Sequence, residues 1–534
     1  MGRIICACGQ RGMNMMGGNL RVQVGISPGR RRAVVTALLL LGAFMRLWQL
    51  GQTPGGVHQD EAFSAYEAYC LLENGMDSWG YPYPVYFTAW GSGMNALEIY
   101  LMMPFVAAFG LATWAIRLPQ AIVACLTLPA FYGVMRRLFG ERTGLTALAL
   151  LAICPWHILL ARWGIESNLA PGFLTFGLYF FVRGVERSPF FLLSALFYGL
   201  SLYAYATIWL VVPGMLLLMT GYLIWTRRLR VNGWSVGAAT ILLAMAVPLL
   251  LYLLVNRDVI EQIVTPYFSI PRMRVARIDE VSLGHIAENA QVMLRMLALQ
   301  RDGELYNAPE FYGLYYFLST PFIALGAVDC TRRAWDSLRT RAFDPAAWPL
   351  CLLIPSLIQG CLISGNSVRL NSIHMTMLML AALGIACTLR LAGRRAHAAG
   401  VFLALGYALL FAGFARHYFT DYAGRVSIVF RDGLEEAVDR AKVLAGEEGS
   451  IRVLGGIEFS RILFCDATPP DAYRDSVRFA QGDGRYLRAE SFTRYRFGGR
   501  AQAGEVIVAD FEADLSEYGG YMREEYGWVS VLWR

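Results

Sequence analysis

The sequence has few charged residues for its length, and lysine is almost absent. Asp, Glu, Lys and Arg make up 16% of the 534 residues and hydrophobic residues 56%, whereas a soluble domain has about 25% charged residues. This deficit excludes an ordinary soluble enzyme and favours a polytopic membrane protein with a polar appendage. Lys442 is the only lysine, so the net charge of +7 comes from arginine. Most arginines lie at the ends of apolar runs, so their charge does not predict a nucleic-acid partner.

Sequence patterns for metal sites are also missing. No cysteines have the spacing of a zinc site, no D-x-D motif occurs, and most cysteines lie in apolar segments, where a buried, inert thiol is the ordinary interpretation. We therefore predict no cofactor; a divalent metal ion is left open, but no motif supports one. Cys70 and Cys465 fall in segments that we place outside the cell, and the sequence leaves open a disulfide between them.

Apolar runs of bilayer length recur along the chain, and each approaches the ~20 residues that a membrane span requires. The predicted spans are 33–50, 118–135, 143–160, 169–183, 190–206, 207–225, 234–254, 311–328, 347–363, 371–389 and 400–416. Every second connection carries an arginine cluster, beginning with Arg30, Arg31 and Arg32, and such clusters mark the cytoplasmic side. The pattern predicts a multi-pass plasma-membrane protein of about eleven transmembrane helices, with its N-terminus inside and its C-terminus outside.

Two long segments between spans are predicted to be external. In the first, residues 51–117, we expect helices over 60–72 and 94–109 that lie at the membrane interface. Treating 94–109 as a further span would place every later arginine cluster outside, against the positive-inside rule. The second segment covers 255–310. Its basic residues include Arg272, Arg274 and Arg277.

The last part of the chain holds nearly all the remaining acidic residues. Residues 417–534 combine a helical pattern over 432–445 with four strand-like stretches, IRVLGGI, SFTRYRF, GEVIVAD and WVSVLW. This predicts a small extracytoplasmic α/β domain. The chain then divides into a cytoplasmic segment, 1–32, a transmembrane domain, 33–416, and this C-terminal domain.

Polar residues gather at the external ends of the predicted spans. Mid-bilayer positions are nearly free of ionisable groups, which cost about 2.5–3.5 kcal/mol there and which an ion-coupled transporter usually needs. Arg162 and Glu166 are four residues apart, so we expect them to share one helix face. The gathered residues are Asp60 and Glu61, Arg162 and Glu166, and Asn366, Arg369, Asn371 and His374. Their convergence on one side of the membrane fits chemistry on a lipid-borne substrate.

Four stretches carry a resemblance to a known family. They are HQDEAFSAYEA, IRLPQAIVACLTLPAFYGVMRRLFGERTGLTALALLAICPWHILLARWGIESN, FYGLYYFLSTPFIALGAV and SVRLNSIHMTMLMLAALGI. Within residues 33–416 they resemble the GT-C superfamily of integral-membrane glycosyltransferases. The branch they resemble holds the protein O-mannosyltransferases, the aminoarabinose transferases of lipid A and the RgtA-like bacterial enzymes. The resemblance implies a GT-C fold in a bacterial cell envelope.

The resemblance also implies a reaction on the external face of the membrane. A sugar moves from a polyprenyl phosphate to a hydroxyl acceptor by direct displacement, which inverts the anomeric carbon. A carboxylate must take the acceptor's proton, a contribution of about 10²–10⁴-fold in rate. Asp60 matches the family's first-loop acid and is the expected base, Glu61 would support it, and Glu166 matches the second acid. Arg369 is the expected phosphate ligand, because a guanidinium binds phosphate through two hydrogen bonds. Further candidates for substrate binding are His374, Arg162 and Asn366.

Each assignment has a structural alternative. Asp60 and Glu61 are also suited to cap an interfacial helix, Arg162 and Glu166 to form an ion pair, and Arg369 to anchor a lipid headgroup. His58 is interpreted as a polar surface or interface residue. The alternative functions are a lipid or polymer transporter or flippase, and a non-catalytic scaffold. The expected partners are a polyprenyl-linked sugar, membrane lipids and an acceptor protein, lipid or glycan; the sequence does not identify the sugar.

Overall fold

Helices follow one another through most of the chain in the computed structural model, which describes residues 27–275, 283–480 and 487–534. Long apolar runs favour helices because a segment surrounded by lipid must pair its own backbone N–H and C=O groups. The helices before the C-terminal domain are α1 (Pro28–Leu47), α2 (Gln59–Asn74), α3 (Leu97–Phe109), α4 (Thr113–Phe139), α5 (Glu141–Ile153), α6 (Pro155–Ala161), α7 (Glu166–Glu186), α8 (Phe190–Leu202), α9 (Ile208–Trp225), α10 (Gly233–Val255), α11 (Ile286–Leu299), α12 (Thr320–Thr340), α13 (Ala347–Leu362), α14 (Asn371–Leu391), α15 (Ala396–His417) and α16 (Ala423–Phe430).

Each predicted span overlaps a helix, but fewer helices have full bilayer length than the sequence predicts. Within the described ranges, five are long and apolar enough to cross a membrane: α4, α9, α10, α14 and the continuous helix over 393–430. A sixth span results if α5 and α6 count as one, although they are bent by 57°. Pro155 begins α6 and cannot donate a backbone hydrogen bond to the preceding turn, which accounts for the break. The structure therefore supports a multi-pass membrane protein.

The helix at the predicted domain boundary is longer than expected. α15 passes through a single π-helical turn, Tyr418–Tyr422, and continues as α16 to Phe430. No proline interrupts residues 396–430, so nothing in the sequence stops the helix at 417. The sheet domain accordingly follows Phe430.

The first segment predicted to be external, residues 51–117, contains both predicted helices and one hairpin that was not predicted. α2 begins after His58, which forms a capping box with Glu61, and it ends at Gly75 with φ +71°. Before α3, strands β1 (Tyr86–Ala89) and β2 (Ser92–Asn95) pair antiparallel, so α3 begins three residues later than expected. The hairpin is buried on every residue, and its short strands give no alternation that would have revealed it.

The described part of the second segment predicted to be external, residues 255–310, is mostly irregular. A strand pair, β3 (Ile263–Val264) with β4 (Ser269–Ile270), precedes α11. Arg272 is partly exposed and contacts Asp258 at 3.3 Å. Arg277 lies outside the described residues.

The C-terminal domain is built on a mixed seven-stranded sheet in the order β10-β11-β9-β5-β8-β7-β6. β5 runs parallel to its neighbours β8 and β9, and the other pairs are antiparallel. The stretch SFTRYRF, predicted as one strand, turns at Thr493 and contributes to two. The elements are α17 (Leu434–Ala445), β5 (Ile451–Leu454), α18 (Phe459–Asp466), α19 (Pro470–Ser476), β6 (Arg478–Phe479), β7 (Ala489–Phe492), β8 (Tyr495–Phe497), β9 (Val506–Asp510), β10 (Met522–Tyr526) and β11 (Val529–Trp533).

This domain packs on the chain that leads into α2 and holds it in place. Arg461 of α18 is buried and donates hydrogen bonds to the carbonyls of Val57, at 3.0 Å, and Val429, at 2.8 Å. Ser460 donates to the Gln59 carbonyl at 3.1 Å. Val57 lies in the loop before α2 and Val429 in the last turn of α16, where carbonyls lack helical partners, so the Arg461 bonds satisfy buried carbonyl groups. Cys70 and Cys465 lie on α2 and α18, and both are free thiols.

Gly56 lies where this entry segment crosses the end of α16. Its φ is +77°, and a Cβ there would collide with the Phe430 carbonyl oxygen. Gly110 has a similar φ of +71°, but no described heavy atom lies within 4 Å of its Cβ position. We expect Gly56→Ala to lower the free energy of unfolding by about 2–4 kcal/mol, and Gly110→Ala by about 1 kcal/mol from the backbone conformation alone. Thermal melting of both purified variants in detergent measures the difference, and equal losses would show that the crossing tolerates a side chain.

Candidate active site

A cavity of about 200 Å³ lies where six segments of the chain meet. Its polar wall includes four of the predicted site residues, Asp60, Glu166, Asn366 and Arg369. The other three, Glu61, Arg162 and His374, lie behind that wall. Its aromatic wall is formed by Trp90, Trp163, Tyr205 and Tyr306. Two carboxylates, a guanidinium and aromatic faces thus share one space.

Asp60 is the second residue of α2. Its backbone N–H donates to Nδ1 of His58 at 3.2 Å, and its side chain is 34% exposed. The helix is capped by His58 and Glu61, so the cap does not use the Asp60 carboxylate. That carboxylate lines the cavity instead.

Glu61 is completely buried and has a different set of contacts from its neighbour. Oε1 accepts hydrogen bonds from Arg117 Nε and the Gly164 N–H, both at 2.8 Å. Oε2 accepts from Arg117 Nη2 and the His58 N–H, both at 3.0 Å. These four bonds occupy the acceptor positions of the carboxylate. Glu61 therefore connects α2, α4 and the turn before α7.

Glu166 is the first residue of α7. It is almost completely buried and accepts hydrogen bonds from the Asn95 backbone N–H and from Asn95 Nδ2, the latter at 2.8 Å. The hairpin that carries Asn95 therefore orients the second acid of the cavity. Negative charge at this position also suits the N-terminus of a helix.

The prediction that Arg162 and Glu166 share one helix face is wrong. Arg162 caps the end of α6, and residues 162–165 form a turn before α7 begins. Gly164 explains the turn, because a Cβ there would lie 3.2 Å from Met102 and 3.3 Å from Glu98. A side chain at this point would separate the turn from α3, which packs closely against it.

Arg162 is buried away from the cavity, under the C-terminal end of α1. It donates to the carbonyls of Met45 at 3.1 Å, Gln49 at 2.9 Å and Thr53 at 2.9 and 3.0 Å. The positive charge therefore satisfies carbonyls that lack helical partners, at the negative end of the α1 dipole. In this position Arg162 orders the chain that leads to α2.

The loop before α14 carries Asn366 and Arg369. Asn366 Oδ1 accepts from the Arg369 N–H at 2.9 Å, and Arg369 Nη1 donates to the Ser364 carbonyl at 3.3 Å. His374 is buried and contacts the Ser367 carbonyl through Nε2 at 2.8 Å, while Nδ1 contacts the Tyr315 hydroxyl. With both ring nitrogens used, His374 supports this loop from behind rather than lining the cavity.

Sequence reasoning did not single out Glu98 and Arg117, which lie near the cavity. It interpreted His58, which lines the cavity, as a polar surface or interface residue. A sequence signal existed for Arg117, because an arginine at the predicted external end of a span departs from the positive-inside rule and needs a buried partner. For Glu98 the signal was a lone acid in an apolar helix.

Glu98 is a fourth acid near the cavity, besides Asp60, Glu61 and Glu166. It is 1% exposed, and neither carboxyl oxygen has a hydrogen-bond partner among the described residues. Burial raises the pKa of Glu98 well above its usual range, and the charges of Glu61, Glu166 and Asp60 raise it further. We therefore describe Glu98 as a neutral carboxylic acid, which lets three other acids lie nearby. Within the described ranges, no group of three or more His, Cys, Asp or Glu side chains has a geometry that could hold a metal ion.

Comparisons with known proteins agree with this architecture. Residues 97–252 match the family model of dolichyl-phosphate-mannose-protein mannosyltransferase. The fold is similar to that of ArnT from Cupriavidus metallidurans bound to undecaprenyl phosphate, with a TM-score of 0.51 and 14% identity over 94% of this chain and 97% of that chain. The apo structure of the same protein gives a TM-score of 0.52 at the same identity and coverage. No curated protein matches the chain.

The contacts of Glu61 predict a loss of stability when its charge is removed. In Glu61→Gln the buried Arg117 guanidinium loses its counter-charge, which costs about 3–5 kcal/mol in comparable pairs. Thermal melting in detergent measures this cost. Glu73→Gln is the matched control, because Glu73 is an exposed acid on the same helix and its loss should change stability by less than about 0.5 kcal/mol. A melting temperature for Glu61→Gln equal to that of the control would contradict the assigned role.

Proposed function

Because the chain resembles the GT-C superfamily of membrane glycosyltransferases in sequence and in fold, we propose that it transfers a sugar from a polyprenyl phosphate to a hydroxyl acceptor at the external membrane surface. The observation that carries this proposal is the meeting of Asp60, Glu166 and Arg369 in one cavity. The undecaprenyl phosphate bound to ArnT is a lipid of the proposed carrier class. The apolar helices of the chain would hold such a lipid near the cavity.

In the proposed reaction, the acceptor oxygen attacks the anomeric carbon of the sugar. The new C–O bond forms as the bond from that carbon to the phosphate oxygen breaks, so the configuration inverts. Asp60 accepts the acceptor proton, because its carboxylate lines the cavity and is accessible. The products are the glycosylated acceptor and polyprenyl phosphate.

Glu166 and Arg369 act on the two sides of this displacement. Glu166, held by Asn95, orients a hydroxyl of the acceptor or the sugar. Arg369 binds the phosphate that leaves, since a guanidinium can donate two hydrogen bonds to phosphate oxygens and compensate their charge. Asn366 positions Arg369, because its Oδ1 accepts a hydrogen bond from the Arg369 backbone N–H.

The remaining candidates from the sequence have positioning roles in this proposal. Glu61 holds the start of α2, Arg162 holds the chain before it, and His374 holds the loop of Arg369. Each is buried and fully engaged with protein groups. None of the three needs to contact substrate for the reaction to proceed.

The base assignment predicts a loss of turnover without a loss of folding. Asp60→Asn should lower the rate of transfer by about 10²–10⁴-fold, because the amide cannot accept the proton, while donor binding and melting temperature stay close to those of the wild type. Release of free polyprenyl phosphate from a panel of polyprenyl-phosphate sugars, with candidate acceptors present, measures the rate.

Glu73→Gln again supplies the control, since it removes an acid from α2 outside the cavity. Full turnover in Asp60→Asn would show that Asp60 is not the proton acceptor, and that role would then be assigned to Glu166. If the folded wild type turns over no donor of the panel, the enzyme proposal is wrong and the transporter or scaffold alternative is favoured.

The proposed location of the cavity requires the C-terminal domain to be external. Val443 on α17 is 72% exposed, and Val231, beside the arginine cluster after α9, is 77% exposed. We expect a membrane-impermeant maleimide to label Val443→Cys in intact spheroplasts and to label Val231→Cys only after permeabilisation. The unmodified chain measures background, since its described cysteines are buried or half-buried. The reverse labelling pattern would place the chemistry on the cytoplasmic side.

A further inference from the structure

His58 caps α2 and also lines the cavity. Its Nδ1 accepts a hydrogen bond from the Asp60 N–H at 3.2 Å, which closes the first turn of α2. A nitrogen that accepts this bond cannot itself carry a proton. The neutral imidazole therefore carries its proton on Nε2, at the opposite side of the ring.

The surroundings of His58 keep the ring neutral. Burial lowers the pKa of His58 well below its usual range, and the positive charges of Arg461, Arg117 and Arg431 lower it further. The Asp60 carboxylate is the opposing charge, with an oxygen 3.7 Å from Nδ1. His58 thus presents an N–H group without a positive charge.

The Nε2–H has no acceptor within the part of the chain that the structure describes. Aromatic rings surround the imidazole, with centroids at 5.0 Å for Trp163, 5.7 Å for Phe430 and 6.2 Å for Tyr306. The His58 side chain is only 12% exposed, and what remains accessible is in the cavity that it lines. A donor in this environment gains most from an acceptor that enters the cavity with a ligand.

We propose that His58 is a substrate-binding residue whose Nε2–H donates to a hydroxyl oxygen of the sugar or of the acceptor. This rests on the proposed glycosyl transfer. A phosphate oxygen is the less suitable ligand, because the Asp60 carboxylate lies beside the ring and would repel a second anion. The aromatic wall also suits the C–H faces of a sugar more than a charged group. His58 and Asp60 then recognise one hydroxyl-bearing region from two sides.

Two substitutions separate capping from substrate binding. Asparagine is a favoured N-cap residue, so His58→Asn should keep the first turn of α2 and the melting temperature, but its shorter side chain removes the Nε2 donor. We expect kcat/KM to fall about 10–100-fold in His58→Asn, as for other lost substrate hydrogen bonds in buried sites. His58→Ala should lose both activity and stability. A rise in KM for the donor or for the acceptor identifies which hydroxyl is bound.

A matched control exists at the N-cap of α11. His285 is exposed and makes no side-chain capping bond, so His285→Asn should leave kcat/KM and melting temperature unchanged. Wild-type kcat/KM in a stable His58→Asn variant would show that His58 is a helix cap only, and would overturn the proposal.

A second measurement does not depend on turnover. The ¹⁵N shifts of histidine-labelled protein, assigned by comparison with His58→Asn, report which ring nitrogen carries the proton. A neutral Nε2–H ring supports the proposal, and an Nδ1–H ring or an imidazolium overturns it. If the wild type transfers no sugar, the enzyme assignment fails through the transfer assay, while this spectrum still decides whether His58 presents the donor.

Discussion

The buried ion pair between Glu61 and Arg117 is the contact on which the arrangement of the cavity depends. Besides Glu61, the guanidinium donates to the carbonyls of Leu50 at 3.3 Å, Pro54 at 2.7 Å and Gly56 at 2.8 Å. One arginine of α4 therefore fixes the irregular chain that leads into α2. An ion pair buried this deeply is favourable only when additional hydrogen bonds satisfy both partners, and here both are satisfied.

Two adjacent acids have divided roles because of this pair. Successive residues of a helix point about 100° apart, so the partners that hold Glu61 inside turn Asp60 toward the cavity. The Glu61 carboxylate is neutralised by Arg117, whereas the Asp60 carboxylate lines the space in which the substrate would bind. Glu61 thus stabilises the fold, and its neighbour Asp60 is oriented toward the cavity as a consequence.

The electrostatics of the site depend on which of its buried groups carry charge. Glu98 is held as a neutral acid behind the cavity and His58 as a neutral base beside it, each through burial and the charges around it. The carboxyl groups and the guanidinium of the cavity wall are those of Asp60, Glu166 and Arg369. In a medium of low polarity this separation matters, because like charges in contact would otherwise shift each other's protonation.

The sequence by itself determined the class of the protein, the approximate positions of the helices and the group of polar residues at their ends, because apolar length, arginine clusters and lone acids are local signals. It also brought Asp60, Glu166, Asn366 and Arg369 forward as one group. Only the tertiary structure decided which of the gathered residues line the cavity. Glu61 is held away from the cavity by Arg117, which is more than fifty positions away in the sequence. Arg162 is held away from it by carbonyls that are more than a hundred positions away. Such partners meet only when distant segments pack together, so a local sequence pattern cannot predict them.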